Sequence, residues 1–386
     1  MKFKNKLPES IESKFSKLAR EKNNNRRKIY SLGLGEPYFE TPTSISNMAF
    51  KSIKKGNTRY SDSRGTLDLR KKLSIKYNKK YNISSNVNNY LITSGSKMAL
   101  FLTLKSILFP KDNIININPC YPSYLPQIIL AQQNAKIVQL DLNNDFSLNV
   151  RSLKKSFKKK IKAIIINSPN NPTGKIYSNE ELQIIFNLVK KNQSWLILDL
   201  IYEDLNYLNK KLTYFNKIFK YDKLVVVSGF SKSYAMTGWR IGYIYTKNKL
   251  INYMNKLNQH IITNVPVFIQ DASLEALKNQ KNSINEFKLV LRKNYEYFIE
   301  KLDVYKFDLP NIVGGMFLLI NISNFNLKSD QFCEELLKKH KVAATPGIFF
   351  GKNWDRYIRV SLSCDHLEFK KAINKLSIFI ESIRKN

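Results

Sequence analysis

Short apolar runs recur along the chain, each closed by Gly, Pro, Asn or Ser. Tyr90–Thr93, Ile114–Asn118, Ile161–Asn167, Trp195–Leu198 and Leu224–Val227 read as strands, several of them apolar at nearly every position. A continuous apolar run of that length is expected of a strand buried on both faces, as in a helix-covered parallel sheet. Between these runs the apolar spacing changes to three and four. Leu67–Tyr77 shows it, and the segment after Lys97 carries Leu100, Leu104, Ile107 and Leu108 on one face. Ser178–Lys191 opens with Ser178 and Glu181 at capping-box spacing. The alternation predicts an α/β fold with a mostly parallel sheet.

Further on, Lys247–Leu302 reads as largely helical and Leu367–Ile383 as a C-terminal helix. Tyr357–Ser361 reads as a strand with one arginine, Arg359, on its polar face. Residues 8–30 predict an amphipathic arm. Ser10 is placed to start a helix there, and the run Arg20–Lys28 would lie in water.

At 386 residues and 43% apolar content, the chain is long enough for two or three globular domains. No run approaches the roughly 18 apolar residues of a membrane span, and MKFKNKLPES lacks the apolar core of a secretory signal. Cys120, Cys333 and Cys364 are odd in number and scattered, and His260, His340 and His366 show no ligand spacing. We therefore expect no metal, no membrane association and a cytoplasmic location. The net charge of +34 is spread along the chain with abundant Asn and Ile, which reads as compositional bias. Its densest run, Lys154–Lys162, reads as the solvated end of a helix and its connector. No specific nucleic-acid partner is expected, only weak polyanion attraction at low salt.

The chemistry-bearing residues fall where strands end. Lys232 lies on the loop after the Leu224–Val227 run, with Arg240 close behind it. An amine and a guanidinium so placed suit an aldehyde cofactor carrying a phosphate. Ser94–Lys97, between strand and helix, forms the kind of turn whose backbone N–H groups bind anions. Asp199 closes a buried strand, where a carboxylate requires a cationic partner.

These segments resemble the aspartate aminotransferase family (class I/II) of fold-type I pyridoxal-phosphate enzymes. The frame S-x-S-K-x-x-x-M-x-G-x-R-x-G is matched by Ser231, Lys232, Met236, Gly238, Arg240 and Gly242. It departs at Gly229, often a phosphate-binding serine, so that Ser228 or Ser231 would have to replace the contact. Gly33–Pro42 is similar to GEPDF-x-TP, with Tyr38 in place of the aspartate. Asn170–Gly174 within PNNPTG, the D-x-x-Y of Asp199 and Tyr202, and T-P-G-x-x-F-G at Thr345–Gly351 complete the set. Pro310–Phe317 is similar to a family strand entry.

The resemblance covers the chain from about Gly33 to the C-terminal helix. It implies pyridoxal 5'-phosphate held on Lys232, with Gly95, Ser96, Lys97, Ser231 and Arg240 at its phosphate. It implies Tyr121 stacked on the ring, Asn171 and Tyr202 at the phenolic oxygen and Asp199 at the ring nitrogen. Gly35, Asn171 and Arg359 would receive the substrate, and Tyr60 would reach the phosphate of the other subunit in a homodimer. Catalysis would rest on Lys232, Asp199 and Tyr202. The expected architecture is an N-terminal arm over 1–44, a large domain over 45–280 and a small α+β domain over 281–386. The implied reaction moves an amino group between an L-amino acid, acidic by preference, and a 2-oxo acid, in ping-pong fashion. C–S lyases and other eliminating enzymes share the fold and need no 2-oxo acid acceptor. A non-catalytic regulator is a further alternative, disfavoured because every catalytic position is filled and no helix-turn-helix segment is appended.

Overall fold

In the computed structural model, the described residues are 29–208, 213–279, 281–302, Phe307, Leu309 and 314–384. The helix expected within residues 8–28 and the segment Pro310–Val313 lie outside them. The apolar runs become strands of one seven-stranded sheet. They are β2 (Tyr90–Thr93), β3 (Asn113–Asn118), β4 (Lys136–Asp141), β5 (Ile161–Asn167), β6 (Trp195–Asp199), β7 (Leu224–Gly229) and β8 (Gly242–Tyr245), after a two-residue β1 (Tyr30–Ser31). Their order is β2-β8-β7-β6-β5-β3-β4, and β8 alone runs antiparallel to its neighbours.

Helices cover both faces, which is why the strands lack the alternation of a half-wet sheet. Ile165, Ile197, Val225 and Val227 point to one face and meet the Gly95–Ile107, Tyr124–Ala131 and Leu250–Ile261 helices. Ile164, Ile166, Leu198 and Val226, one position out of step, point to the other. There they meet Leu69, Leu73 and Tyr77 of the Leu67–Tyr81 helix and Leu182, Ile185 and Val189 of the Asn179–Asn192 helix. Full burial of such side chains is worth about 1.5–3 kcal/mol each, so this two-sided core dominates the sheet's stability. The predicted capping box holds: Ser178 Oγ accepts from Glu181 N–H at 3.2 Å, and Glu181 Oε2 accepts from Ser178 N–H at 2.9 Å.

A second core surrounds a three-stranded sheet, β11-β12-β9, made of Phe317–Asn321 (β9), Thr345–Pro346 (β11) and Tyr357–Ser361 (β12). Leu291 and Phe298, Phe332 and Leu336, and Phe369 and Ile380 pack there from three long helices. Val342–Ala343 (β10) pairs in parallel with β1, which brings the N-terminal stretch onto this core. All five residues of β12 are buried. Arg359, expected on a polar face of that strand, is buried with the rest, its guanidinium donating to Gly33 O and Asn171 Oδ1.

Candidate active site

The parallel strands end along one edge of the sheet, and their connections bring the chemistry there together. Paired register sets Asn167 of β5 beside Asp199 of β6, and Asp199 beside Val227 of β7. An open parallel sheet binds ligands beyond these carboxyl ends, where the helix N-termini also point.

Asp199 is buried, and its carboxylate accepts a 2.7 Å hydrogen bond from Tyr124 Oη and one of 3.2 Å from Ile201 N–H. Burial pushes it up to about 6, against the pull of these donors and of Lys232. Tyr124 carried no functional expectation in the sequence. Its one signal was its place three residues after Tyr121, in the first turn of a helix, which sets the two rings edge to face at 5.5 Å. Asn167 was missed as well. Its amide donates to Asp199 O at 3.0 Å and accepts from Asn171 N–H at 2.7 Å, tying two strand ends together.

Tyr202 follows Asp199 into the site and stands edge-on to Phe317, with ring centres 5.9 Å apart. The two residues after it anchor this turn. Asp204 takes Lys76 and Lys80 at 2.8 and 2.9 Å, while Glu203 takes Lys80 at 3.0 Å and the hydroxyl of Tyr81. The lysines hold Asp204 well below the usual carboxylate range. Lys76 and Lys80 both lie on the Leu67–Tyr81 helix, so these partly exposed pairs tie the turn to it.

Arg359 is buried between two rings, its guanidinium carbon 4.1 Å from the centre of Phe317 and 5.1 Å from that of Phe350. Its Nη1 donates to Asn171 Oδ1 at 2.9 Å, and its Nη2 donates to Gly33 O at 2.7 Å and Thr345 Oγ1 at 3.3 Å. Lys232 Nζ donates to Gly35 O at 2.7 Å. The Gly33–Gly35 stretch thus lies across the site, touched by both cations. Lys97 places its Nζ 5.6 Å from the centre of the Tyr121 ring.

A second convergence lies where the Gly95–Ile107 helix begins. Gly95 has φ of +80°, and a Cβ on it would strike Nη2 of Arg240. Gly242 lets the strand after Arg240 come close, since a Cβ there would stand 2.6 Å from Gly95 C and Ser96 N. Backbone donors, a helix N-terminus and a guanidinium therefore converge on one spot, a donor set that fits a phosphate. Gly229 is a glycine for a similar reason. A side chain there would press on Ile241 O and Gly242 Cα, at 3.0 and 3.1 Å. Ser228 Oγ donates to Leu200 O at 3.2 Å, inside the sheet. Tyr60, by contrast, stands 88% exposed on this single chain.

Among the described residues no helix is long and apolar enough to cross a membrane, and no cluster of His, Cys, Asp or Glu could hold a metal. The family model described as "Aminotransferase class I and II" matches residues 27–376. A (5-formylfuran-3-yl)methyl phosphate transaminase of Methanocaldococcus jannaschii is 34% identical over 94% of both chains. An aspartate aminotransferase of Thermotoga maritima is 31% identical over 92% of both. The Thermus thermophilus aspartate aminotransferase solved with maleate superposes with a TM-score of 0.90 over 97% of both chains, at 26% identity. With its strand-end lysine, buried aspartate and phosphate cradle, this chain belongs to the class I and II aminotransferases, the pyridoxal-phosphate enzymes of fold type I.

Proposed function

We propose that this aminotransferase binds pyridoxal 5'-phosphate at the carboxyl edge of the large sheet and uses it to pass an amino group from an L-amino acid to a 2-oxo acid. The observation that carries the reading is the convergence of Lys232, Asp199 and the Gly95–Arg240 cradle on one edge. The backbone N–H groups at Gly95–Lys97, Arg240 and the Ser231 hydroxyl hold the phosphate. Ser231 takes the place open at Gly229, because Ser228 is turned to Leu200. Tyr121 would stack on the ring, Asn171 and Tyr202 would meet the phenolic oxygen, and Tyr60 would reach the phosphate of a second subunit.

When bound, the cofactor supplies an aldehyde carbon for the amino group and a ring that accepts electrons. Lys232 would be the covalent anchor, and its amine would also serve as the base that takes the proton from the donor's Cα. Asp199 would hold a proton on the ring nitrogen, and that cation would give the buried carboxylate a charged partner beside its Tyr124 and Ile201 donors. Arg359 meets the donor's α-carboxylate with its planar fork. Its two ring neighbours keep water away, which strengthens the contact.

The favoured donor is acidic. A second cation, Lys97, has its Nζ 5.6 Å from the centre of the Tyr121 ring, and in this proposal it would meet the donor's distal carboxylate. The Thermus thermophilus relative was solved with maleate, a dicarboxylate. Incubating the protein with pyridoxal phosphate, single amino acids and 2-oxoglutarate or oxaloacetate tests both parts. Amino transfer from aspartate or glutamate, dependent on the acceptor, is expected. Turnover without an acceptor, releasing ammonia, would mark an eliminating enzyme. Transfer confined to aromatic or neutral donors would overturn the acidic preference alone.

A further inference from the structure

The carboxyl edge of the sheet holds the site; the opposite, amino edge holds a belt of lysines. Lys111 precedes β3 and Lys136 opens β4. Lys158–Lys160 lead into β5, whose second residue is Lys162. Lys190 and Lys191 close the helix before β6, and Lys220 and Lys223 precede β7. These segments are far apart in sequence, yet hydrogen bonds set them side by side. Lys136 N–H donates to Asp112 O at 2.8 Å, and Asn113 Nδ2 to Lys160 O at 2.9 Å. Asn192 Nδ2 donates to Lys159 O at 3.4 Å, and Lys223 Nζ to Gln193 O at 2.9 Å. The carboxylates among these segments are Asp112, which faces Lys162 at 3.7 Å, and Asp222.

Helices also end on this edge, and their C-terminal dipoles favour cations. That accounts for Lys190 and Lys191 but not for Lys158–Lys160, which lie in the connector beyond a helix. One ring stands in the belt. Phe109 is 63% exposed, with Lys162 Nζ 5.0 Å from its centre.

We propose that this edge binds single-stranded nucleic acid without regard to sequence. β4, β3, β5, β6 and β7 are successive neighbours, so the row spans about 19 Å at the usual strand spacing. That length accommodates roughly five phosphates. An exposed aromatic among cations offers a base a stacking surface, the combination that single-strand binders use. An anionic bilayer surface would also attract these ammonium groups, but it offers no ring to stack on the exposed Phe109. The inference is independent of the catalytic reading, since no belt residue lies at the carboxyl edge.

The test is anisotropy of a fluorescein-labelled 20-nucleotide oligothymidylate with the full-length, cofactor-supplemented protein between 50 and 200 mM salt. Binding is expected with Kd on the order of 10 µM near 100 mM salt, and log K falling against log salt with slope about −3.5. K159E/K160E/K191E should weaken binding at least tenfold and flatten the slope. F109A should weaken it roughly fivefold. All four positions are exposed, and unchanged melting of both variants secures the comparison. K301E/K352E/K371E, on exposed sites elsewhere, makes the same change in net charge and should bind like the parent. Equal weakening by this control would show attraction to net charge alone and overturn the proposal. So would a Kd above about 1 mM at 100 mM salt, or phosphatidylserine vesicles displacing the oligonucleotide.

Discussion

Lys232 Nζ donates a 2.7 Å hydrogen bond to the carbonyl oxygen of Gly35, 197 positions earlier in the chain. Two residues before Gly35, the carbonyl of Gly33 accepts from Arg359 at the same distance. The amine proposed to anchor the cofactor and the guanidinium proposed to hold the substrate thus grip one short stretch. Carbonyl oxygens two residues apart fix the positions of both cations.

Lys232→Ala is expected to abolish amino transfer while leaving the phosphate cradle able to bind cofactor non-covalently. Turnover assays and equilibrium dialysis with pyridoxal phosphate measure the two separately. Borohydride treatment followed by peptide mass mapping should fix the cofactor to the Lys232 peptide of the parent and to no peptide of the variant. Parent-like turnover by the variant would sink the assignment.

Asp199 makes a pH prediction. Its carboxyl is raised from 3.8 to about 6 by burial, so the cofactor-free folded chain holds this proton more tightly than the unfolded chain does. Stability of that form should fall as pH rises from about 4 to about 6 and then level off. Cofactor binding needs the ionised carboxylate, so its apparent Kd should rise as pH falls below about 6. Asp199→Asn should remove both trends and slow turnover at least about 100-fold, the usual cost of losing one preorganised electrostatic partner. Calorimetry and fluorescence titration from pH 4.5 to 8 check the signs.

Arg359→Lys keeps a charge but loses the fork that reaches Asn171 on one side and Gly33 and Thr345 on the other. A hydrogen bond to a charged group is worth roughly 1.5–3 kcal/mol. KM should therefore rise about tenfold or more for every amino acid tried, acidic or not. An effect confined to acidic donors would place Arg359 at the distal carboxylate instead.

Gly242→Ala adds a Cβ 2.6 Å from the backbone of Gly95 and Ser96. Neither neighbour is a flexible side-chain tip, so the helix N-terminus must move. Overpacking of this kind costs about 1–3 kcal/mol, and the displaced N–H groups should weaken phosphate retention more than ten times. Cofactor dissociation rates and melting temperatures report on each; a variant that keeps its cofactor as the parent does would contradict the close approach.

Tyr60 should matter only in a dimer. It stands 88% exposed on this single chain. Sedimentation should give a dimer at assay concentrations. Tyr60→Phe should weaken cofactor retention by one hydrogen bond to a charged group, tenfold or more. A fully active monomer would refute the shared site.

Much of this molecule was legible in one dimension because its signals are local. A strand such as Ile161–Asn167 is buried on both faces, so it announces itself by composition alone, and its bounds agree with the structure residue for residue. The Ser178–Glu181 box is likewise a contact between near neighbours. Lys232, Asp199 and Arg240 could be singled out because strand ends carry their punctuation with them, and Asn171 through the resemblance of its PNNPTG segment to the family's.

What the tertiary structure alone decided depends on which distant segments share a surface. Arg359 read as a residue on a strand's polar face; the fold buries it between Phe317 and Phe350, with its polar partners drawn from Gly33 and Asn171. Tyr124 is unremarked in the sequence because its partner, Asp199, lies 75 positions away. Gly229 looked like a lost phosphate contact until the packing of Ile241 and Gly242 showed there is little room for a side chain. The lysines were spread evenly along the chain, and a charge count cannot see a belt. Strand order, which no local period encodes, gathered them onto the edge opposite the site.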